Sequence, residues 1–183
     1  YVERLVKFLL WARGGYRIHL AGPAVLAERL RGHFRETATG KFDSNLIGER
    51  VYDHPIEVVA TDAAGLPPEH AKTQPLGRHL DGCRIGFDLG GSDRKVAAVI
   101  DGNVVFNEEI VWDPYFHPDP QYHFDGIMDS LMKAAAHLPR VDAIGGSAAG
   151  VYVNNRVKVA SLFRGVAPDL FNRRVKDLFL EIQ

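Results

Sequence analysis

The chain has 183 residues, of which 46% are hydrophobic and 25% charged, a composition typical of globular proteins and unlike that of disordered chains. Its formal net charge of −1 gives no strong positive field, which argues against a nucleic-acid-binding role. No apolar stretch reaches the roughly 18 residues of a membrane span. The single cysteine, Cys83, excludes an internal disulfide framework and fits a reducing, cytoplasmic compartment. Because the chain starts with Tyr1 and not Met, we expect a piece of a longer protein.

Residues 1–80 are predicted to form a small α/β region whose role the sequence does not assign. Hydrophobic periodicity and turn residues predict two helices there, at residues 2–12 and 24–34. They also predict two short strands, at residues 16–20 and 56–60. Residues 36–50 are polar and show no clear pattern. Residues 62–80 hold three prolines and two glycines and read as a linker, which puts a domain boundary near residue 80.

Residues 81–183 carry sharper signals and are predicted to form a second domain. Three closely spaced strands are expected first, at residues 84–89, 95–100 and 104–112, with Asp101-Gly102 as a hairpin turn. A proline-rich loop (113–121), an amphipathic helix (124–138) and a buried strand (141–145) are expected next. A hairpin around Asn154-Asn155 (151–160) and a last helix (168–182) complete the domain.

The most informative segment lies at the end of the first of these strands. Asp88 closes a buried strand, Gly90 and Gly91 form the turn, and Ser92 opens the returning strand. Adjacent glycines permit a turn whose backbone N–H groups point outward together, and such an array fits a phosphate. Asp88 is suited to hold Mg²⁺ directly or through water, and Ser92 to donate to a phosphate oxygen.

Positive charge beside this turn is expected from Lys95 or Arg94 on the returning strand. The spacing of a Walker loop is absent, and a strand follows the glycines where a dinucleotide fingerprint would have a helix. The alternative interpretation is a plain hairpin with a Gly-Gly turn and no ligand.

The motif Asp-Leu-Gly-Gly-Ser at residues 88–92 resembles the first phosphate motif of the actin, sugar-kinase and chaperone ATPase superfamily. In that fold three antiparallel strands, a helix, a strand and a helix follow one another in the order read above. Residues 142–151 are similar to the Gly-Ile-Gly-x-Pro-Gly-x-Val motif of the ROK family of bacterial sugar kinases and sugar-responsive repressors. The resemblance covers about 100 residues. Ser92 replaces the commoner threonine, and Ala149 replaces the usual proline.

The resemblance implies an α/β fold class, an actin-like ATPase (ribonuclease-H-like) lobe with a mixed sheet, of which this chain holds the first lobe. It implies ATP and Mg²⁺ as cofactors, a sugar as substrate and phosphoryl transfer to a sugar hydroxyl, with Gly146, Ser147 and Gly150 toward the sugar. A homodimer is among the assemblies it allows. The family's catalytic base, the aspartate of an Asn-Asp pair, is expected beyond Gln183, so no catalytic residue is assigned in this chain.

Two other functions are compatible with the same motifs. One is a non-catalytic, sugar-sensing regulator that keeps the cleft and has lost the chemistry. The other is an activator ATPase of the same superfamily, like those of acyl-CoA dehydratases.

The loop after the third strand contains His117 and His123 together with Asp113 and Asp119. Imidazole and carboxylate groups suit zinc or iron, but the prolines of this loop disfavour a regular element that would fix the ligands. We therefore expect a loop that faces a substrate or a partner, with its aromatic residues packing it down.

Overall fold

The structure, a computed structural model, describes residues 1–69, 77 and 79–182. It divides into two compact units, Tyr1–Gln74 and Pro75–Gln183. The linker predicted over 62–80 lies partly outside the described residues. The functional division of the chain at residue 80 stays a prediction. No helix among the described residues is both long enough and apolar enough to cross a membrane.

The first unit packs helices against a pair of parallel strands. Its elements are α1 (Val2–Arg13), β1 (Arg17–Ala21), α2 (Ala24–Glu36), α3 (Ala38–Asp43), a π-helix (Ser44–Val51) and β2 (Glu57–Thr61). The predicted helices and strands are all present, within two residues of their expected bounds. Apolar residues of α1, α2, the π-helix and β2 meet in a single core, against which Ile18 and Leu20 of β1 pack. The buried residues of this core are Val6, Leu10, Ala27, Leu30, Phe34, Ile47 and Val58.

Residues 38–51 are helical, although the sequence over 36–50 shows no clear pattern and predicts no element there. The Thr37 side chain accepts a hydrogen bond from the first turn of α3 and caps it. Asp43 is fully buried and accepts hydrogen bonds from Lys7 Nζ at 2.8 Å and Trp11 Nε1 at 3.1 Å. The inward face of this segment thus includes a charged residue, which hides its periodicity in the sequence.

The second unit contains a four-stranded mixed sheet and a separate two-stranded hairpin. Its elements are β3 (Cys83–Leu89), β4 (Asp93–Ile100), β5 (Asn103–Val111), α4 (Pro120–Ala135), β6 (Ala143–Ala148), β7 (Gly150–Val153), β8 (Arg156–Ala160), α5 (Pro168–Leu170), a π-helix (Phe171–Val175) and α6 (Leu178–Glu181). The sheet order is β5-β4-β3-β6, with β3, β4 and β5 antiparallel and β6 parallel to β3. The predicted mixed sheet is confirmed.

Both predicted hairpin turns form with the left-handed backbone that their residues favour. Asp101 and Gly102 have φ values of 48° and 81°, and Asn154 and Asn155 have values of 52° and 60°. Two successive residues with positive φ match the twist of antiparallel strands, and Asn, Asp and Gly tolerate this conformation best.

The core of the second unit lies on one face of the sheet. Side chains alternate along β3, so Ile85 and Leu89 are buried while Asp88 between them is exposed. Ile127 and Leu131 of α4 belong to the same buried cluster. The helix starts at Pro120, earlier than predicted, because Asp119 caps it and proline is favoured in a first turn.

Two expectations for the second unit were wrong. The strand predicted as buried, β6, is largely exposed, with Ile144 44% accessible, because it is the outermost strand of the sheet beside β3. The single helix expected over 168–182 is broken at Lys176, whose carbonyl accepts from Val157 N in β8 at 2.9 Å.

Candidate functional site

Asp88 lies at the exposed carboxyl end of β3, on a strand as predicted. Because β6 runs parallel to β3, the carboxyl ends of both strands meet at one edge of the sheet, where open α/β sheets generally bind ligands. Ser147 of β6 is the register partner of Asp88 and donates from Oγ to Asp88 Oδ1 at 2.5 Å. Lys95 is its register partner on β4. The structure therefore groups Asp88, Lys95 and Ser147.

An open groove of about 510 Å³ crosses the sheet face that carries these three side chains. Small residues form its floor, and a β-carbon added at Gly86 or Gly145 would meet no atom within 4 Å. Glu109 of β5 pairs with Lys95 and continues the polar row across the sheet. The groove thus carries carboxylates, one ammonium and one hydroxyl.

The turn that follows Asp88 differs from the expected array of outward N–H groups. Neither Gly90 nor Gly91 has a positive φ among the described glycines. The Gly90 N–H donates to the Asp93 carbonyl at 2.9 Å, and Trp112 Nε1 donates to the Gly90 carbonyl at 2.9 Å. A β-carbon at Gly91 would collide with the ring and hydroxyl of Tyr115. Close packing, and not a left-handed backbone, therefore accounts for Gly91.

Two backbone N–H groups of this turn have no hydrogen-bond acceptor found among the described residues. The turn and loop hydrogen bonds among the described residues include none donated by the N–H of Gly91 or of Ser92. The Gly90 N–H, predicted to face a phosphate, is used inside the hairpin. An anion at this turn would therefore be bound by the backbone N–H groups of Gly91 and Ser92.

Asp93 was missed by the sequence analysis and engages both predicted polar side chains of the hairpin. Ser92 Oγ donates to Asp93 Oδ2 at 2.9 Å, and Lys95 Nζ donates to Asp93 Oδ1 at 2.8 Å. The hydrogen bonds from Lys95 and then Ser92 hold the pKa of Asp93 below its usual value, and the bond to Asp93 raises the pKa of Lys95. Lys95 thus remains charged but already has a carboxylate partner.

Of the three residues predicted to face a sugar, Gly146 and Ser147 both line the open groove, whereas Gly150 lies elsewhere. Ser147 contacts Asp88, as described above. A β-carbon at Gly146 would collide with the ring of Phe87. Gly150 begins β7 in the separate two-stranded hairpin.

The described residues contain no group of three or more His, Cys, Asp or Glu side chains able to hold a metal ion. A Mg²⁺ ion that arrives with a nucleotide keeps several waters and needs only one or two carboxylates besides the phosphates. Asp88 is exposed and Ser147 is bonded to its Oδ1, so Oδ2 fits that requirement.

The histidines of the loop after β5 are packed and not arranged as metal ligands. His117 stacks on Tyr122 with ring centres 3.6 Å apart. His123 is fully buried, and its Nε2 lies 3.0 Å from the carbonyl oxygens of Pro114 and Leu162. Both neighbours are acceptors, so Nε2 carries the proton and donates to them.

Comparisons with known proteins assign no family to the chain. No family model matches it, and no curated protein matches it. Among solved structures, an exopolyphosphatase from Cytophaga hutchinsonii is similar at 15% identity and a TM-score of 0.28, over 62% of this chain and 41% of that one. This chain thus spans less than half the length of that protein. A likeness of this size carries no argument, and membership of the ROK family stays a prediction.

Proposed function

We propose that this chain is the phosphate-binding lobe of an ATP- and Mg²⁺-dependent protein that, as a whole, transfers a phosphoryl group to a sugar hydroxyl. One observation carries the proposal. The Asp88 carboxylate stands exposed at the carboxyl end of β3, directly before a tight Gly-Gly hairpin and beside Ser147 of parallel β6. That the substrate is a sugar and the nucleotide is ATP is inferred from the motif resemblance.

Each residue of the site has a distinct part in this proposal. Asp88 would hold Mg²⁺ through Oδ2, while the hydrogen bond from Ser147 fixes the orientation of the carboxylate. The N–H groups of Gly91 and Ser92 would donate to a phosphate oxygen. When bound, Mg²⁺ neutralises charge on the β- and γ-phosphates.

No base is assigned within this chain, so the chain by itself is expected to bind ATP weakly and to phosphorylate no sugar. Proximity of a base and an acceptor is worth about 7–11 kcal/mol of a barrier in favourable cases, and that contribution would be absent. A homodimer and a cytoplasmic location are part of the same proposal, and sedimentation of the full-length protein tests the dimer.

The test compares ATP binding with and without Mg²⁺ in the parent chain and in Asp88→Asn, a substitution that removes charge with little change in volume. We expect Mg²⁺ to strengthen ATP binding by the parent and to have no effect on Asp88→Asn. Asp169→Asn is the matched control, since Asp169 of α5 is an exposed carboxylate paired with Arg173 of the following π-helix. An unchanged Mg²⁺ effect in Asp88→Asn would remove Asp88 from the site.

A coupled ATPase assay with hexoses and N-acetylated hexosamines then separates the alternatives in the full-length protein. Sugar-dependent ADP release that Asp88→Asn abolishes indicates a kinase. Sugar binding without turnover indicates a sensor, and ATP turnover independent of any sugar indicates an activator ATPase. Sugar phosphorylation by residues 1–183 alone would contradict the expectation that the base is absent.

A further inference from the structure

An arginine that no motif pointed to contacts the same tyrosine ring as the Gly-Gly turn. Tyr115 lies across Gly91 so closely that a β-carbon there would collide with it. The guanidinium carbon of Arg164 lies 3.7 Å from the centre of the same Tyr115 ring and 5.7 Å from the Phe116 ring. One tyrosine ring therefore contacts both the turn and the arginine.

Backbone packing holds the segment of Arg164 against the segment of Tyr115. A β-carbon at Gly165 would lie 3.0 Å from the carbonyl oxygens of both Tyr115 and His117, which is closer than most side chains approach a backbone. The backbone N–H of Arg164 also donates to the Ser161 carbonyl at 3.2 Å. The arginine is thus carried on a short, well-packed segment.

The buried His123 contacts the backbone of both segments. Its Nε2 lies 3.0 Å from the carbonyl of Pro114, which precedes Tyr115, and 3.0 Å from that of Leu162, two residues before Arg164. A single buried donor between two acceptors fixes both segments at once. His123 is therefore a positioning residue for the Arg164–Tyr115 pair.

Arg164 also differs from Lys95 in its charge environment. Lys95 is bonded to Asp93, whereas Arg164 is exposed and the contacts found for its guanidinium among the described residues are with rings. Near the turn, the carboxylates of Asp88 and Asp93 repel an anion. A bound phosphate therefore needs a further cation. The guanidinium of Arg164 is such a cation, and its N–H groups can donate hydrogen bonds in the plane of the group.

We propose that Arg164, stacked on Tyr115, contacts a phosphate group that binds at the N–H groups of Gly91 and Ser92. This inference rests on the proposed function, in that phosphate is the ligand. A guanidinium stacked on a ring is already ordered and weakly hydrated, and its planar fork matches two phosphate oxygens. The phosphate belongs either to a nucleotide or to a free inorganic ion, and the two sources share this chemistry.

The test is an NMR titration of the chain with inorganic pyrophosphate and, separately, with ATP, each with and without Mg²⁺. We expect the amide signals of Gly91 and Ser92 and the Nε–H signal of Arg164 to shift together. Arg164→Gln should weaken binding about 10- to 100-fold, and Arg164→Lys by less, because a hydrogen bond to a charged group contributes a corresponding free energy.

The matched control is Arg140→Gln, which removes the same charge. Arg140 pairs with Asp142 at 2.7 Å just before β6 begins, and the start of β6 lies at the opposite end of the sheet from Asp88. This control should change affinity less than about 2-fold. Saturation by pyrophosphate indicates a free inorganic ligand, and saturation by ATP alone indicates a nucleotide; either supports the proposal.

Two results would overturn the inference: unchanged affinity in Arg164→Gln, or a parent spectrum in which the Arg164 Nε–H does not move while the Gly91 amide does. The second measurement uses the unaltered chain and holds even if the variant fails to fold. Asp88→Asn separates this inference from the proposed function. Weakened pyrophosphate binding in Arg164→Gln, together with an unchanged Mg²⁺ effect in Asp88→Asn, would keep the anion site and reject the nucleotide role.

Discussion

Replacing His123 by leucine should destabilise the second unit, because His123 is the buried donor that joins two loops. The residue is 0% exposed, and its Nε2 lies 3.0 Å from the carbonyl oxygens of Pro114 and Leu162. Leucine fills a similar volume but offers no N–H. Both carbonyls would then be buried without this donor.

The size of the effect follows from three contributions. A buried polar group that loses its partner costs about 1–3 kcal/mol, and here two acceptors share one donor, so the loss is about 2–4 kcal/mol. His123 Nδ1 is itself buried without a partner among the described residues, and removing it returns about 1 kcal/mol. The net expectation for His123→Leu is a loss of about 1–3 kcal/mol of unfolding free energy. His123→Gln should lose less, because its amide nitrogen can occupy the position of Nε2.

Urea unfolding followed by tryptophan fluorescence measures this loss. The chain has two tryptophans, one in each unit, so a Trp11→Phe background leaves Trp112 as the reporter of the second unit. Trp112 is also close to the change, with its ring centre 6.3 Å from that of His123. His137→Leu is the control, since His137 is exposed and stacks on a ring without bridging two loops. Equal stability of His123→Leu and its parent, or a larger loss in His123→Gln than in His123→Leu, would refute the reasoning.

Three further predictions concern buried polar groups and are read from urea unfolding. Burial raises the pKa of Tyr152 to about 12, and its hydroxyl has no partner among the described residues. Tyr152→Phe should therefore stabilise the chain by about 1 kcal/mol. In the parent chain, stability should fall between about pH 10, where Tyr152 ionises in the unfolded chain, and pH 12, where it ionises in the folded chain. Tyr152→Phe should not show this fall. Arg94 is buried and pairs with Asp129, whose side chain is 43% exposed. Asp129→Asn should cost about 2–4 kcal/mol, because it leaves the buried guanidinium without a charged partner, whereas Arg94→Met should cost less, because the carboxylate left behind is partly exposed. Asp43→Ala should cost about 3 kcal/mol, because Asp43 is fully buried against Lys7, and a loss below about 1 kcal/mol would contradict this assignment.

Local signals in the sequence were sufficient for most elements of the fold. Asp101-Gly102 and Asn154-Asn155 predict hairpin turns because few other residue pairs accept two positive φ values in succession. Asp88 could be placed at a strand end because a buried apolar run precedes it and glycines follow it. The helix over 120–135 shows the period of a helix packed on one side.

Features that depend on contacts between distant residues could not be predicted in this way. The helical segment after Thr37 is held partly by Asp43, whose partner Lys7 is far away in the sequence. The pairing of Tyr115 with Arg164 depends on how two loops meet, and nothing near either residue marks it. Hydrophobic periodicity describes the surface that an element buries, so it says nothing about which polar groups that surface will meet.

The Gly-Gly turn shows how one motif can have two different physical causes. The sequence predicts Gly91 from the need for backbone freedom in the turn, but the φ of Gly91 is not positive, and a ring from another loop occupies the space of a β-carbon. A glycine required for packing would be present with or without a phosphate, so the glycines by themselves are weak support for a ligand. Asp88 is different, because an exposed carboxylate at a strand end stabilises neither the core nor the turn. The proposed site therefore depends chiefly on Asp88, on the Gly91 and Ser92 amides, for which the described residues offer no acceptor, and on the arginine that Tyr115 positions.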